Sequence, residues 1–470
     1  FGSLTLYFDL NINGGRLIDF MPKQRIHILG VCGTFMGSLA LLAREQGHKV
    51  SGCDENTYPP MSDLLEEQGI EVINGYKVED LPEADCYVIG NALSRGNPMI
   101  EEILDKKMNF VSGPEWMARN ILKDKRVIAV SGTHGKTSTT SMIAWILKDL
   151  GFDPGYLIAG KSKNLNSSSC LGKGDLFVIE ADEYDTAFFD KRAKFIHYNP
   201  EVLVINNLEF DHADIYEDLE QIKIQFHHLV RTLSSESLVI SPKNEESIED
   251  VLSRGFWSNR KEFNGNSECD NFYSHISEDY SSFKLSLKGE EASLKWNHFG
   301  EFNAKNAMAA VLSLSHFGIS IKDSVNSLSS FEGVSRRQEV LLNKKEIVLI
   351  DDFAHHPTAI EQTLLGLRKR YPGKKIISLI ELRSNTMRSG YHGSKLIDST
   401  KDSDLTFWSC QDERTLNELV KESGPEHRKI DSTESLLSDI TSNVTGNDLI
   451  VLMSNGSFQG LNKKIIQLLT

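Results

Sequence analysis

The run Gly132-Thr133-His134-Gly135-Lys136-Thr137-Ser138 has the residue types needed to hold phosphate. It lies between the apolar, β-branched Val127 to Val130 and a segment whose Met142, Ile143, Ile146, Leu147 and Leu150 keep helical spacing. Glycines at such a strand-to-helix corner let backbone N–H groups close on an anion at the helix N-terminus. Lys136 would supply a compact positive charge for β- and γ-phosphates, and the Thr137 hydroxyl can ligate Mg2+. The spacing is shorter than G-x-x-x-x-G-K-[ST], because position 130 is valine and the first glycine comes at 132.

Two acidic clusters are expected beside that loop. Glu180-Ala-Asp182-Glu183-Tyr-Asp185 ends one apolar strand, and Asn206-Asn207-Leu-Glu209-Phe-Asp211-His212-Ala-Asp214 ends another. Carboxylates at the carboxyl ends of parallel strands face the ligand crevice, where a Mg2+ ligand or a water-orienting group belongs. Either cluster alone also fits a solvated loop, but two of them beside a phosphate loop favour chemistry.

Other loops carry further candidates. Gly30-Val-Cys32-Gly33-Thr34-Phe35-Met36-Gly37 follows a strand, and Asp54 closes the next one. The pattern fits a nucleotide pyrophosphate over a helix N-terminus with a carboxylate near the ribose, and also an ordinary tight turn; the glycine spacing disfavours NAD. Gly300-Glu-Phe-Asn303-Ala-Lys-Asn306 opens an alanine-rich helix, where the asparagines either read a purine edge or cap the helix. Arg336 and Arg337 stand near a boundary. Asp351-Asp352-Phe-Ala-His355-His356-Pro357, Glu381-Leu-Arg383-Ser384-Asn385-Thr386-Met-Arg388 and Ser454-Asn455-Gly456 each follow an apolar strand, so all three loops should share one sheet edge.

The elements that must position these residues follow a βαβ rhythm restarted at residues 25–30, 126–131 and 346–351. This predicts an α/β protein of three domains with parallel sheets, divided 21–124, 125–333 and 334–470, with a small β insertion between about 238 and 298. Residues 1–20 read as an extension or expression remnant. The 470 residues suffice for three cores, and the formal charge of −15 disfavours nucleic acid and anionic membrane partners. Six scattered cysteines without a C-x-x-C pair, and no apolar run near the roughly 20 residues of a membrane span, predict a cytoplasmic protein with free thiols.

Taken together, Ile28 to Gly37, Asn91 to Pro98, the shortened phosphate loop, Glu180 to Asp190, Asn206 to Asp214, Asp351 to Pro357 and Arg383 to Met387 resemble the Mur ligases, ATP-dependent amide-forming enzymes of peptidoglycan assembly. The resemblance covers residues 25–470. It implies a Rossmann-like, UDP-sugar-binding N-terminal domain, a P-loop-type central ATPase domain and a Rossmann-like C-terminal domain for the amine donor. It also implies ATP and Mg2+ as cofactors, and a monomer or weak dimer. Within the family the residues look most like the branch that joins UDP-N-acetylmuramate to the murein tripeptide L-Ala-γ-D-Glu-meso-diaminopimelate in peptidoglycan recycling. The branch adding L-alanine is the alternative; it typically has Ser at the place of Tyr184 and Met at that of Ala213.

The implied roles run as follows. Lys136, Glu180 and His212 are catalytic, with Thr137, Glu180 and His212 on the metal. ATP is met by Gly132 to Ser138 together with Asn303, Asn306, Arg337, Asp352 and His355. The UDP-sugar is met by Gly30, Cys32, Gly33, Thr34, Phe35, Met36, Gly37, Asp54, Asn91 and Arg95. The peptide is met by Arg383, Ser384, Asn385, Thr386, Ser454, Asn455 and Gly456. Two positions depart from the family: Phe302 replaces the histidine of G-x-H-N, and Phe226 stands where several sister ligases carry a carbamylated lysine. A P-loop motor or switch would share the central loop alone, and a UDP-sugar dehydrogenase the first loop alone.

Overall fold

The computed structural model describes residues 23–57, 61–344, 346–421, 423–444 and 446–469, so the reading of residues 1–20 lies outside the described residues. Five parallel strands, β1 (Arg25–Leu29), β2 (Lys49–Asp54), β3 (Glu71–Asn74), β4 (Cys86–Ile89) and β5 (Phe110–Ser112), form a sheet in the order β3-β2-β1-β4-β5. All the strands run the same way, but the order in which the chain adds them reverses between β1 and β4, the place where a doubly wound sheet opens a crevice at its strands' carboxyl ends.

The second sheet has seven strands: β6 (Arg126–Ser131), β7 (Gly155–Leu157), β8 (Ser169–Cys170), β9 (Leu176–Glu180), β12 (Val202–Ile205), β13 (Leu238–Pro242) and β14 (Asn259–Phe263). Their order is β14-β13-β12-β6-β9-β7-β8, parallel throughout except at β7–β8. Between them β10 (Asp185–Ala187) and β11 (Asp190–Ala193) make a hairpin. Strands buried on both faces read as continuous apolar runs, and β6, β9 and β12 do so because helices cover both sides. On one side Ile128 and Val130 meet Met142, Ile143 and Ile146 of helix Lys136–Asp149; on the other, Val127 and Ala129 join a cluster that continues into Ile26 and Ile28 of the first sheet. The first two domains therefore share apolar packing.

The predicted insertion needs correction. β13 and β14 extend the central parallel sheet, and only β15 (Asn271–His275), β16 (Ser282–Leu287) and β17 (Glu290–Lys295) form the antiparallel add-on. Leu238–Pro242 is wholly buried, but its polar flanks hide it from a periodicity scan.

The third sheet is β18 (Glu339–Lys344), β19 (Ile347–Asp352), β20 (Lys375–Leu382), β21 (Leu405–Cys410), β22 (His427–Lys429) and β23 (Asp448–Met453). It runs β18-β19-β23-β20-β21-β22 with only β18 antiparallel. Arg336 and Gln338, at φ 61° and 52°, turn the chain sharply into it. Thr386 Oγ1 donates to Asp211 at 2.8 Å, Thr358 Oγ1 to Glu209 at 2.6 Å, and the His134 and His356 rings lie 4.7 Å apart, so the third domain is fastened beside the phosphate loop. Among the described residues no helix is long and apolar enough to cross a membrane, and all six cysteines are free thiols.

Candidate active site

The phosphate loop is held by the end of β12. Thr133 N donates to Asn207 O at 3.2 Å, His134 N to Asn207 Oδ1 at 2.8 Å, and Glu209 N to Thr133 Oγ1 at 2.8 Å. This close approach explains the glycines. A Cβ on Gly132 would meet Asn207 O at 2.9 Å, and one on Gly135, at φ +81°, would meet Asn306 Oδ1 at 2.5 Å and Asn206 Nδ2 at 2.9 Å. Gly135→Ala is therefore expected to combine left-handed strain with a clash and to cost about 1–3 kcal/mol. If the loop holds ATP, as the family's chemistry implies, the variant should also lose whatever thermal stabilisation saturating ATP gives the wild-type chain; an undiminished melting shift would contradict the loop's role.

A chain of opposite charges lies next to that loop. Lys136 Nζ contacts Glu183 Oε2 at 2.9 Å and Oε1 at 3.1 Å, with Asp182 3.8 Å away. Glu183 Oε1 in turn lies 3.0 Å from His212 Nε2, and Tyr216 OH donates to the Glu183 carbonyl at 2.5 Å. Burial pushes the Glu183 carboxyl up, but the Lys136 charge and the His212 bond outweigh it and hold the group at about 2. Burial opposes the His212 cation, whereas the bond to Glu183 and the charges of Glu183, Asp211 and Asp182 raise its pKa. His212 is placed by left-handed backbone at φ 60°.

The structure divides the expected metal set. Thr137 Oγ1 donates to Glu180 Oε1 at 2.9 Å, and Ala159 N donates to Glu180 Oε2 at 2.9 Å, so Glu180 sits deep beside the helix start. Among the described residues two trios have ligating atoms within 4.8 Å of one another, His134, Glu209 and His356 beside the loop, and Asp182, Glu183 and His212, of which only the second shares a residue with the expected set. Sequence reasoning gave Asp182 and Glu183 no individual role; the signal that marks them is position, since β9 ends at Glu180 and they lie just beyond it. Oxygen-rich donors of this kind suit Mg2+. Asn206 Oδ1 and His134 Nε2, buried at the loop without hydrogen-bond partners, although Glu209 Oε1 lies 3.9 Å from the imidazole nitrogen, fit a ligand that brings hydrogen-bonding groups of its own.

A cleft of about 710 Å³ gathers most of the expected nucleotide residues, Thr133 to Ser138, Asn303, Asn306, Arg337, Asp352 and His355, together with Glu180 and His212 of the expected metal set. Asn303 Nδ2 donates to Phe299 O at 2.8 Å and Gln338 Oε1 at 2.9 Å, tying its helix to the third-domain joint. The Arg337 guanidinium stacks 4.5 Å from the Phe353 ring, and Asp352 accepts from Gln338 N at 2.7 Å and Ala354 N at 2.8 Å. Phe302 lines the same cleft, and Phe226 is buried 4.9 Å from the Phe195 ring.

A second cleft of about 410 Å³ adjoins the first, and the two share Tyr184, Asp211, His212, His355 and Asn455. It collects Arg383, Ser384, Asn385, Thr386 and Asn455 from the expected peptide set, and adds Arg388, Gln411 and Asp214. Asn455 Oδ1 is buried without a partner. Thr386 is already committed to Asp211 and to Ala213 N, Ser454 Oγ bonds Glu381, and Gly456 N donates to Ser454 Oγ at 2.8 Å; these three shape the wall.

The first-domain residues lie at or beyond the carboxyl ends of β1, β2 and β4. Gly30 turns at φ +80°, Gly33 precedes helix Thr34–Glu45, and Asp54 accepts from Cys32 N and Asn56 N, each at 2.9 Å, so its carboxylate braces the loop. The Met36 side chain is buried in the core and Gly37 makes room for Met61, whereas Arg95 is ion-paired with Glu101 and Asn91 follows β4. Lys194, which sequence reasoning missed, links the two regions: its Nζ lies 5.6 Å from the Phe35 ring, 5.4 Å from that of Tyr184 and 3.6 Å from Asp182.

Comparison with known proteins agrees with this arrangement along the chain. Residues 25–125 match the Mur ligase family catalytic domain, 130–314 the Mur ligase middle domain, and 336–456 the Mur ligase glutamate ligase domain. The UDP-N-acetylmuramate--L-alanyl-gamma-D-glutamyl-meso-2,6-diaminoheptandioate ligase of Haemophilus influenzae is 43% identical over 454 residues, 94% of this chain and 98% of that protein. A UDP-N-acetylmuramate--L-alanine ligase of Clostridium acetobutylicum is 30% identical over 92% of this chain and 95% of its own. The crystal structure of a murein peptide ligase from Psychrobacter arcticus superposes with a TM-score of 0.73 at 39% identity, covering 95% of this chain and 98% of that one. With all three domains matched in order, the chain belongs to the Mur ligase family.

Proposed function

We propose that this protein is an ATP-dependent ligase that joins the lactyl carboxylate of UDP-N-acetylmuramate to the α-amine of L-Ala-γ-D-Glu-meso-diaminopimelate, a reaction of peptidoglycan recycling in the cytoplasm. The observation that carries this reading is the pair of adjoining clefts that share His212, His355 and Asn455, one beside a phosphate loop and one lined by polar groups. Two substrates held this way can meet without either leaving its site. The choice of tripeptide over free alanine is supported by 43% identity to a ligase named for that peptide, against 30% for one named for alanine.

The hard step is to bring a carboxylate against a triphosphate. Lys136 and the helix start beginning at Lys136 offset the repulsion, and Gly132 to Ser138 wrap the β- and γ-phosphates with backbone N–H groups. Mg2+, held by Thr137, Glu180, Asp182, Glu183 and His212 in some combination, would neutralise phosphate charge. The carboxylate oxygen attacks the γ-phosphorus and ADP leaves; the peptide amine then attacks the acyl carbon, and phosphate leaves with the oxygen that made the attack. Lys194 and the glycine loop of the first domain lie where the sugar acid would enter, Arg337 and Asn303 where the nucleotide would lie, and Asn455 Oδ1 is free to accept from the arriving amine. Closure of the three domains supplies positioning worth effective molarities of about 10⁵ to 10⁸ M and keeps water from the activated acid. With 18O in the muramyl carboxylate, the label is expected in the released phosphate. Ligation that leaves all of it in the sugar product would refute the route.

A further inference from the structure

We propose that His134, Glu209 and His356 form a second metal site, of the Zn2+ class, at the joint between the phosphate loop and the third domain. It shares no residue with the trio of Asp182, Glu183 and His212, and it goes beyond the ligase reading rather than resting on it. One ligand atom from each of the three residues lies within 4.8 Å of the others. His134 Nε2 is 3.9 Å from Glu209 Oε1, and His356 Nδ1 is 3.5 Å from Glu209 Oε2. Donors around a tetrahedral Zn2+ stand about 3.3–3.5 Å apart, because Zn–N is about 2.0–2.1 Å, so small side-chain rotations close the set.

The bonding around these groups leaves acceptors facing one another. His356 Nδ1 accepts from Thr358 N at 3.3 Å as the N-cap of helix Pro357–Arg370, so the proton of the neutral ring sits on Nε2. The same ring bonds the Phe210 backbone, the kind of outer contact by which metal-bound imidazoles keep their orientation. Glu209 Oε2 accepts from Thr358 Oγ1 at 2.6 Å, and the buried His134 Nε2 has no hydrogen-bond partner. Burial lowers the pKa of both imidazoles, that of His356 to about 4, so near pH 7 each can offer a nitrogen lone pair. Burial also pushes the Glu209 carboxyl up, an opposition that a bound cation relieves.

The donor types select the ion. Two imidazoles and one carboxylate favour Zn2+ over Mg2+, and three protein ligands leave a fourth position for water or an anion. The ligands come from the phosphate loop, the segment after β12 and the start of a third-domain helix, so an ion here ties the third domain to the loop.

The test uses the full chain, stripped of metal and free of nucleotide, in the wild type and in His212→Ala, which removes the imidazole of the other trio. Bound Zn2+ is counted by competition with a chromophoric chelator, and Co2+ reports tetrahedral coordination by its visible absorption. One Zn2+ should survive His212→Ala. Adding Glu209→Gln or His356→Asn to that variant should weaken its binding about 100-fold or more, and Thr358→Val, which removes an outer partner, about 10- to 100-fold. His356→Asn keeps a capping oxygen for Thr358 N, so its metal-free melting temperature should stay near that of the parent. Saturating Zn2+ should raise the melting temperature of His212→Ala and not that of His212→Ala/His356→Asn, and Mg2+ should not substitute. No binding by the wild type, binding that His212→Ala abolishes, or undiminished affinity after Glu209→Gln or His356→Asn would overturn the site. None of these results bears on the ligase reading, which fails only if the wild-type chain does not join its substrates.

Discussion

Lys136→Ala is expected to lower kcat/KM for ligation by about 10³-fold or more, with far-UV circular dichroism unchanged. Part of that loss is the missing charge at the γ-phosphate, where charge develops as the carboxylate attacks. The other part concerns the pocket itself. Burial opposes the Lys136 cation, and the Glu183 and Asp182 charges overcome that opposition and raise its pKa. Once the ammonium is gone, Glu183 is a buried carboxylate beside Asp182, with His212 as its remaining bonded partner. Breaking a buried pair by removing one member costs about 3–5 kcal/mol, so a lower melting temperature should accompany the lost activity. Phosphate release measured with ATP, Mg2+, UDP-N-acetylmuramate and tripeptide decides the matter: wild-type turnover in a folded variant would sink the assignment of the loop.

Glu183→Gln, nearly isosteric, should lower kcat about 10²- to 10³-fold and weaken the dependence on Mg2+, because it removes the charge standing between Lys136 and His212. It also has a pH signature. The Glu183 pKa is depressed from 4.5 to about 2, so its contribution to stability is present above pH 4.5 and fades as the pH falls towards 2. The His212 pKa is raised above 6.5, so its contribution is complete below pH 6.5 and fades as the pH rises through the higher folded value. The melting-temperature difference between wild type and Glu183→Gln should therefore be greatest between pH 4.5 and 6.5 and shrink on both sides. What persists at alkaline pH is the Lys136 pairing. A difference that stays constant from acid to alkali would show that Glu183 and His212 are not electrostatically coupled.

The strand-to-helix corner at residues 132–138 was legible because its requirements are local. Gly132 and Gly135 meet backbone demands set within a few residues, and the apolar periodicity on either side announces the strand and the helix. The same holds for the βαβ rhythm, whose buried parallel strands are apolar runs, and for the gathering of the loops after β19, β20 and β23 on one edge. Locality fails for the partners. Glu183 and not Glu180 reaches His212 because the chain beyond β9 turns into the crevice, a path set by packing against Tyr216 and Lys136 rather than by neighbours in the sequence.

Residue types and their periodicity were thus enough to establish the α/β class, the glycine-rich strand-to-helix corner at residues 132–138 and the order of the units. Tertiary structure alone decided which carboxylate pairs with Lys136, that Asn306 fills the space above Gly135, that β13 and β14 widen the central sheet, and that Arg388 lines the same cleft as Arg383 and Asp214. The reason is physical. Backbone preferences and solvent exposure act on adjacent residues and leave a regular mark, whereas a contact between side chains dozens of positions apart exists only once burial has drawn their elements together.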